Sequence, residues 1–232
     1  MKHQNKTLGV LGGMGPAATA EFMRLMVELA PADFDQEHPE IIVYNHTAIP
    51  DRTNCIFGKG LDPMPELKSG IDKLVAWGAD VLVVPCNTVH YFLDKIRTEI
   101  SIPLIHIVEE TIIRAKELSP EGAWLTSTLG TVKTNLYQKY SDLMGYSLHY
   151  PATSEQEIIH CITNLVKSGE TQKAGKYYRE VIENLLKREK LPILGACTEL
   201  PVAYRYTGLE DSKFISSLES LAQGAIKYLY GL

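Results

Sequence analysis

The chain of 232 residues has no long hydrophobic run and no cluster of basic residues. Charged or polar residues interrupt its apolar stretches within about ten residues, whereas a membrane-spanning helix needs about 20 apolar residues. The net charge is -5, from 23 Lys and Arg against 28 Asp and Glu. Nucleic acids and anionic membranes attract strongly basic surfaces. We therefore expect neither of them among the partners of this protein.

Cysteine is also scarce, with four residues and no pair at CxxC spacing. This number is too small for a disulfide scaffold. Residues 1–6 (MKHQNK) lead into a short strand-like run and not into the apolar core of a signal peptide, so we expect a cytoplasmic protein. In that reducing compartment a thiol either packs as an apolar group or takes part in chemistry.

The composition is that of a folded globular protein, with 45% hydrophobic and 22% charged residues. Short runs of aliphatic residues alternate with helical patterns, which is typical of parallel βαβ units. A polar loop separates two of these elements at about residues 46–63. The predicted strands lie at about 7–11, 41–44, 81–84, 104–107, 123–126, 147–150 and 191–194. The predicted helices lie at about 17–30, 64–77, 89–99, 154–168, 171–189 and 213–230. One further helix is predicted after residues 128–131 and ends at about residue 144.

Two segments of the chain resemble each other and suggest an internal duplication. Residues 83–88 (VVPCNT) and 194–199 (LGACTE) both end a buried strand in a cysteine and open a helix, and the cysteines are 197 − 86 = 111 residues apart. A chance match remains an alternative, because loops at strand ends favour small residues. Duplication predicts two pseudo-symmetric, three-layer α/β domains, each with a short, mostly parallel sheet, and an active site in the cleft between them. The predicted domains are residues 1–103 with 209–232, and residues 104–208.

Cys86 and Cys197 are the candidate catalytic residues. Each follows a strand and precedes a helix, where backbone N–H groups and the helix dipole lower the pKa of a thiol. Ligands of open α/β sheets also bind at those strand ends. Cys55 lies in a loop without this geometry, and Cys161 is predicted to pack in the core from a helix face.

Two alternative sites have weaker support. Cys86 and His90 are four residues apart and could share a metal, but a third ligand at suitable spacing is missing, so we expect no metal. Residues 13–18 (GMGPAA) match the dinucleotide fingerprint of an NAD-dependent dehydrogenase. That fingerprint needs a carboxylate at the end of the next strand, and residues 44–46 (YNH) supply none. His90 is expected on a helix near the mouth of the cleft.

Four motifs together resemble those of the aspartate racemases, in the cofactor-independent aspartate/glutamate racemase superfamily. They are residues 12–16 (GGMGP), 51–53 (DRT), 85–90 (PCNTVH) and 197–199 (CTE). Glu199 resembles the aspartate racemase branch, since glutamate racemases usually carry histidine there. Leu129, between Thr128 and Gly130, is a minor departure from the family pattern, in which a relative carries threonine at this position. The resemblance implies a homodimer without cofactor or metal that acts on aspartate, in both directions because both cysteines are present.

Racemisation by two thiols is consistent with these residues. One base on each face of the substrate removes or returns the Cα proton, and the ordinary pKa of a thiol, about 8.5, is near working pH. Donors aimed at the α-carboxylate would stabilise the enolate-like charge that develops. Residues suited to this task follow the strand ends: Asn87, Thr88, Thr128, Thr131 and Thr198.

The resemblance further implies that Arg52 and Lys167 hold the distal carboxylate of the substrate. Met14 is expected to line the pocket, and Glu199 is expected to bind the substrate. Other members of the superfamily act on glutamate, hydantoins or maleate, or are decarboxylases, and these activities remain alternatives. A non-catalytic sensor that binds an amino acid is a further alternative.

Overall fold

The computed structural model describes residues 5–232. The chain divides into two compact units. Unit 1 runs up to Ile107 and resumes at Leu218–Leu232, and unit 2 is Val108–Ser217. These boundaries differ from the predicted ones at 103 and 208. The reason is strand pairing, because residues 104–105 join the sheet of unit 1 and residues 214–216 join the sheet of unit 2.

The two units are built from alternating strands and helices. Unit 1 contains β1 (Leu8–Gly12), α1 (Pro16–Leu29), β2 (Ile41–Asn45), α2 (Arg52–Ile56), α3 (Met64–Ala76), β3 (Val81–Val83), α4 (His90–Ile96) and β4 (Leu104–Ile105). The chain enters unit 2 along α5 (Ile107–Leu118). Unit 2 contains β5 (Ala123–Ser127), α6 (Leu129–Lys133), α7 (Leu136–Met144), β6 (Leu148–His149), α8 (Thr153–Lys167), α9 (Thr171–Arg188), β7 (Ile193–Ala196), α10 (Leu200–Tyr204) and β8 (Phe214–Ser216). The chain returns to unit 1 along α11 (Ser217–Tyr230), and short 3-10 turns lie at Asp35–Glu37, Arg97–Glu99 and Asp211–Lys213.

Both sheets have the same topology. Within residues 5–232, the strand order is β2-β1-β3-β4 in unit 1 and β6-β5-β7-β8 in unit 2, and every neighbouring pair is parallel. The fold class predicted from the sequence, two α/β domains with parallel sheets, is thereby confirmed. Strand β3 in unit 1 corresponds to β7 in unit 2, and these are the strands that precede Cys86 and Cys197.

Burial of the interior strands explains their composition. Strands β1, β3, β5 and β7 are buried at every residue, whereas the edge strand β2 is half exposed. Interior parallel strands are covered on both faces and therefore read as continuous apolar runs. Each fully buried aliphatic side chain contributes roughly 1.5–3 kcal/mol through the hydrophobic effect. None of the helices in the described part of the chain combines the length and the apolar character needed to cross a membrane.

Three local predictions differ from the structure. The predicted strand 104–107 ends at Ile105, and α5 begins at Ile107. The predicted loop 46–63 contains α2, whose first turn is capped by the Asp51 carboxylate accepting from the Asn54 N–H at 2.7 Å. The last helix begins at Ser217 and not near 213, because residues 214–216 pair with β7.

Gly175 on α9 allows a close approach that alanine would obstruct. A Cβ atom there would lie 2.3 Å from Tyr206 Cβ and 2.9 Å from the Ala203 carbonyl oxygen. Overpacking costs about 1–3 kcal/mol, against a gain of about 1 kcal/mol in helix propensity. We expect Gly175→Ala to lower the free energy of unfolding in urea, and the exposed Lys176→Ala to change it by less than about 0.5 kcal/mol. A Gly175→Ala protein more stable than the wild type would contradict this packing.

Candidate active site

The conformation of the glycine loop after β1 depends on hydrogen bonds with Thr19 and on a glycine at position 13. Gly13 has a φ of +95°, and a Cβ atom there would lie 2.4 Å from the His46 carbonyl carbon, so a side chain is excluded. The Thr19 hydroxyl accepts from the Gly13 N–H at 3.0 Å and donates to the Gly15 carbonyl at 3.2 Å. Met14, which was predicted to line the pocket, lies between Gly13 and Gly15 in the sequence and is buried.

Arg52 is a buried cation at the same end of the unit 1 sheet. Arg52 is the first residue of α2 and is only 8% exposed. Its Nη1 donates to the carbonyls of Pro50 at 3.0 Å and Ile49 at 3.3 Å, and its Nη2 donates to the Met14 carbonyl at 3.2 Å. A guanidinium has five N–H donors, so these three bonds orient the group and leave donors for a carboxylate.

Cys86 lies in a buried turn between β3 and α4. Its own N–H donates to the Val84 carbonyl at 2.7 Å, and the residue is 5% exposed. Asn87 and Thr88 are buried beside it in the sequence, and their carbonyls accept from the first N–H groups of α4. Cys86, Asn87 and Thr88 thus lie between the end of β3 and the start of α4, as the sequence predicted.

His90 is not at a cleft mouth, as the sequence suggested, but completely buried in unit 1. The reason is that α4 begins at this residue and turns it inward, onto His106. In residues 5–232 no group of three or more His, Cys, Asp and Glu side chains is arranged to hold a metal ion.

Cys197 lies directly after β7 in unit 2 and is bonded to a carboxylate. Its thiol donates to Glu199 Oε2 at 3.0 Å, and the Thr198 hydroxyl donates to the same oxygen at 3.3 Å. All three side chains are buried. Glu199 therefore contacts the thiol itself, a role that the sequence motif alone did not define.

The electrostatic environment of Cys197 favours the protonated thiol. Burial raises the pKa of the thiol well above its ordinary value, and the negative charge of Glu199 raises it further. Lys167 acts in the opposite direction, through its positive charge. Lys167 is the last residue of α8 and is exposed, so it lies within electrostatic range of the thiol without the enclosure that Arg52 has.

Thr128 caps the short helix α6 after β5, and Thr131 lies in its first turn. The Thr128 hydroxyl accepts from the Thr131 N–H at 3.2 Å and lies 3.1 Å from the Thr131 hydroxyl. Both residues are buried. This loop occupies in unit 2 the topological position that the glycine loop after β1 occupies in unit 1.

Two buried tyrosines near Cys197 were not anticipated from the sequence. The Tyr178 hydroxyl lies 2.7 Å from that of Thr126 on β5. Tyr137 is hydrogen-bonded to the side chains of Thr111 and Ser217. Burial raises the pKa of both tyrosines, and a negative charge on Cys197 would raise it further. Neither residue belongs to a motif, so only the tertiary structure relates them to the cysteine.

The remaining two cysteines have different surroundings. Cys161 is exposed on α8, so the prediction that it packs in the core was wrong; the buried face of that helix is formed by neighbours such as Ile159 and Ile162. Cys55 is partly buried on α2, where burial raises the pKa of its thiol. Neither lies at the carboxyl end of a strand.

Two α/β units of one topology, each with a buried cysteine after the same interior strand, define a duplicated α/β fold with a strand-end thiol in each half. The model of the Asp/Glu/Hydantoin racemase family matches residues 11–223, and the chain belongs to this family.

Individual relatives agree with this membership. The broad specificity amino-acid racemase RacX of Bacillus subtilis (strain 168) is 28% identical over 203 residues, which cover 83% of this chain and 85% of that protein. The structure of Picrophilus torridus aspartate racemase superposes with a TM-score of 0.81 and 28% identity, covering 97% of this chain and 94% of the other. Glutamate racemase from Aquifex pyrophilus shares the fold, with a TM-score of 0.58 and 20% identity over 93% of this chain and 81% of the other.

Removing the charge of Glu199 should make the Cys197 thiol more acidic. In Glu199→Gln the thiolate no longer faces a negative charge, so the pKa of Cys197 should fall, while burial still holds it above the ordinary value. The ultraviolet absorbance of the thiolate, followed against pH in a protein whose only cysteine is Cys197, measures the shift. Glu183→Gln, which removes an exposed carboxylate on α9, is the control. A titration that stays in place or moves to higher pH in Glu199→Gln would contradict the assignment.

Proposed function

We propose that this protein interconverts L- and D-aspartate without a cofactor, using Cys86 and Cys197 as the two proton-transfer groups. The observation that carries the proposal is the matched placement of the two buried cysteines, each after the equivalent strand of its own sheet. Membership in the Asp/Glu/Hydantoin racemase family supports it, because racemases move a proton at Cα.

The reaction needs one proton acceptor and one proton donor on opposite faces of the same carbon. One sulfur, as thiolate, takes the Cα proton, and the electron pair of that C–H bond spreads into the α-carboxylate. The other sulfur, as thiol, gives its proton to the opposite face and becomes the thiolate. The two groups exchange roles with the handedness of the substrate, so a round trip balances without another reactant.

Glu199 suits Cys197 to both of these roles. The hydrogen bond from the thiol to the carboxylate keeps a proton on sulfur, ready for donation. When Cys197 must act as the base, the same carboxylate is within reach to accept the thiol proton first.

Substrate choice rests on the distal carboxylate. In our proposal Arg52 pairs with it, since the guanidinium is buried, oriented by three carbonyls and able to make a two-pronged contact. Asn87, Thr88, Thr128, Thr131 and Thr198 provide donors for the α-carboxylate, and Lys167 supplies an additional positive charge. The 28% identity to an aspartate racemase favours aspartate. A second candidate is racemisation of several amino acids, favoured by the equal identity to RacX.

Each cysteine should be indispensable for racemisation. Cys86→Ser and Cys197→Ser should each lower the rate by several orders of magnitude, because a hydroxyl has a far higher pKa than a thiol and is a poor base at neutral pH. The measurement is loss of optical rotation from L- and D-aspartate, with proton nuclear magnetic resonance following deuterium entry at Cα in D₂O. Cys161→Ser, which alters an exposed thiol, serves as the control. Activity within tenfold of the wild type in either variant would rule out the two-thiol mechanism.

Arg52 should decide whether a dicarboxylate is preferred. Each hydrogen bond to a charged group contributes roughly 1.5–3 kcal/mol, so Arg52→Ala should lose about 2–5 kcal/mol of transition-state binding with aspartate. This corresponds to about thirty- to several-thousand-fold in kcat/KM. Arg52→Lys should recover only part, because an ammonium cannot form the two-pronged contact.

The assay compares kcat/KM for aspartate, glutamate and alanine in these variants, with circular dichroism as the folding control. Lys167→Ala should show a smaller loss with aspartate than Arg52→Ala. An Arg52→Ala enzyme with unchanged kcat/KM for aspartate would show that the distal carboxylate is bound elsewhere. Similar wild-type kcat/KM values for all three amino acids would favour the broad-specificity alternative.

A further inference from the structure

His90 links the main chain of Cys86 to the start of α5. Its Nδ1 lies 2.8 Å from the Cys86 carbonyl oxygen, and its Nε2 lies 3.5 Å from the Ile107 nitrogen. A carbonyl only accepts and a main-chain N–H only donates. The partners therefore assign the proton to Nδ1 and leave Nε2 as the acceptor.

Neighbouring groups hold the His90 ring neutral and in place. The His106 ring packs edge-on against it at 4.3 Å between centroids, and His106 Nε2 lies 3.2 Å from Asp94 Oδ1. Burial lowers the pKa of His90 well below its ordinary value; His106 and Arg97 lower it further, while the Cys86 carbonyl and Asp94 oppose the shift. The neutral ring is the form that both of its hydrogen bonds require.

The equivalent cysteine in unit 2 is held in a different way. The Cys197 carbonyl accepts from the main-chain N–H of Leu200 at 3.0 Å. The residue four positions after Cys197 is Pro201, which has no side-chain donor. A histidine four residues after the cysteine, bonded to the cysteine carbonyl, is thus a feature of the Cys86 half of the chain.

We propose that His90 is a positioning residue for Cys86, which sets the direction of its thiol by fixing the main chain of the turn. The inference rests on the proposed function, in which Cys86 serves one face of the substrate. Both main-chain polar groups of Cys86 are bonded, its N–H to the Val84 carbonyl at 2.7 Å and its carbonyl to His90. Releasing the carbonyl would let the turn rotate, and a displacement of about 1 Å in a reacting group can cost about a hundredfold in rate.

A reaction that needs only one base separates the two cysteines. The substrate is 3-chloroaspartate, prepared with either configuration at Cα. A thiolate removes the α-proton, the C–H electron pair forms the Cα–Cβ double bond, and chloride leaves from Cβ. The enamine that results is hydrolysed to oxaloacetate and ammonium. Each configuration presents its α-proton to one thiol, and Cys86→Ser and Cys197→Ser identify which one.

The expected result is a one-sided defect in His90→Leu, which loses both hydrogen bonds. Elimination from the Cys86-dependent enantiomer should fall by about tenfold to a hundredfold, and elimination from the other should stay within about threefold. His90→Asn, whose amide retains a donor near the Nδ1 position, should recover most of the loss. His149→Leu, which changes a partly exposed histidine of unit 2, should leave the ratio of the two rates unchanged.

A role in stability alone would lower both elimination rates together, and equal losses in His90→Leu would overturn the proposal. If that variant does not fold, His90→Gln replaces it, since its amide reaches the Nε2 position without the Nδ1 donor. The same one-sided loss is expected there, and an equal loss again overturns the proposal. The proposed function fails separately if neither Cys86→Ser nor Cys197→Ser reduces elimination from either enantiomer.

Discussion

Parallel pairing is the constraint on which the candidate site depends. In each sheet it brings the carboxyl ends of the strands to one edge, so that the loops after β1 and β3 lie together in unit 1 and those after β5 and β7 in unit 2. The loops at this edge are buried as well, but they lie outside the strands and are not restricted to apolar residues. They carry the glycine turn, the cysteines and several buried hydroxyl groups. Because the strand order repeats, each sheet has a cysteine after its equivalent strand, Cys86 after β3 and Cys197 after β7.

The two thiols are nevertheless supported by different means. In unit 2 a carboxylate contacts the sulfur of Cys197 directly, and together with burial it favours the protonated form. In unit 1 the support reaches Cys86 through its main-chain carbonyl, by way of a buried neutral histidine. The two units thus share one topology, while the side chains around each cysteine differ. In the proposed reaction, in which one thiol donates a proton while the other accepts one, the two cysteines need not have the same surroundings.

Arg52 shows how a cation is kept in a buried position without a carboxylate partner among its hydrogen bonds. Its guanidinium donates to three main-chain carbonyls from two loops, which offset part of the cost of burial and fix its plane. An oriented guanidinium needs little reorganisation when a carboxylate arrives. The expected homodimer, the cytoplasmic location and the preference for aspartate remain predictions.

Local patterns in the sequence were sufficient to predict the alternating strands and helices, the two α/β units and the strand-end placement of Cys86 and Cys197, because periodicity and turn residues act over a few positions. They failed where distant residues decide. Strand β8 forms only because residues 214–216 find β7, and Cys161 is exposed because other residues form the buried face of α8. The bond between Cys197 and Glu199, the carbonyl cage of Arg52 and the burial of His90 depend on how side chains pack and point. Some of these partners are neighbours in the sequence, such as Cys197 and Glu199, but the direction and burial of their side chains are set by the tertiary packing around them.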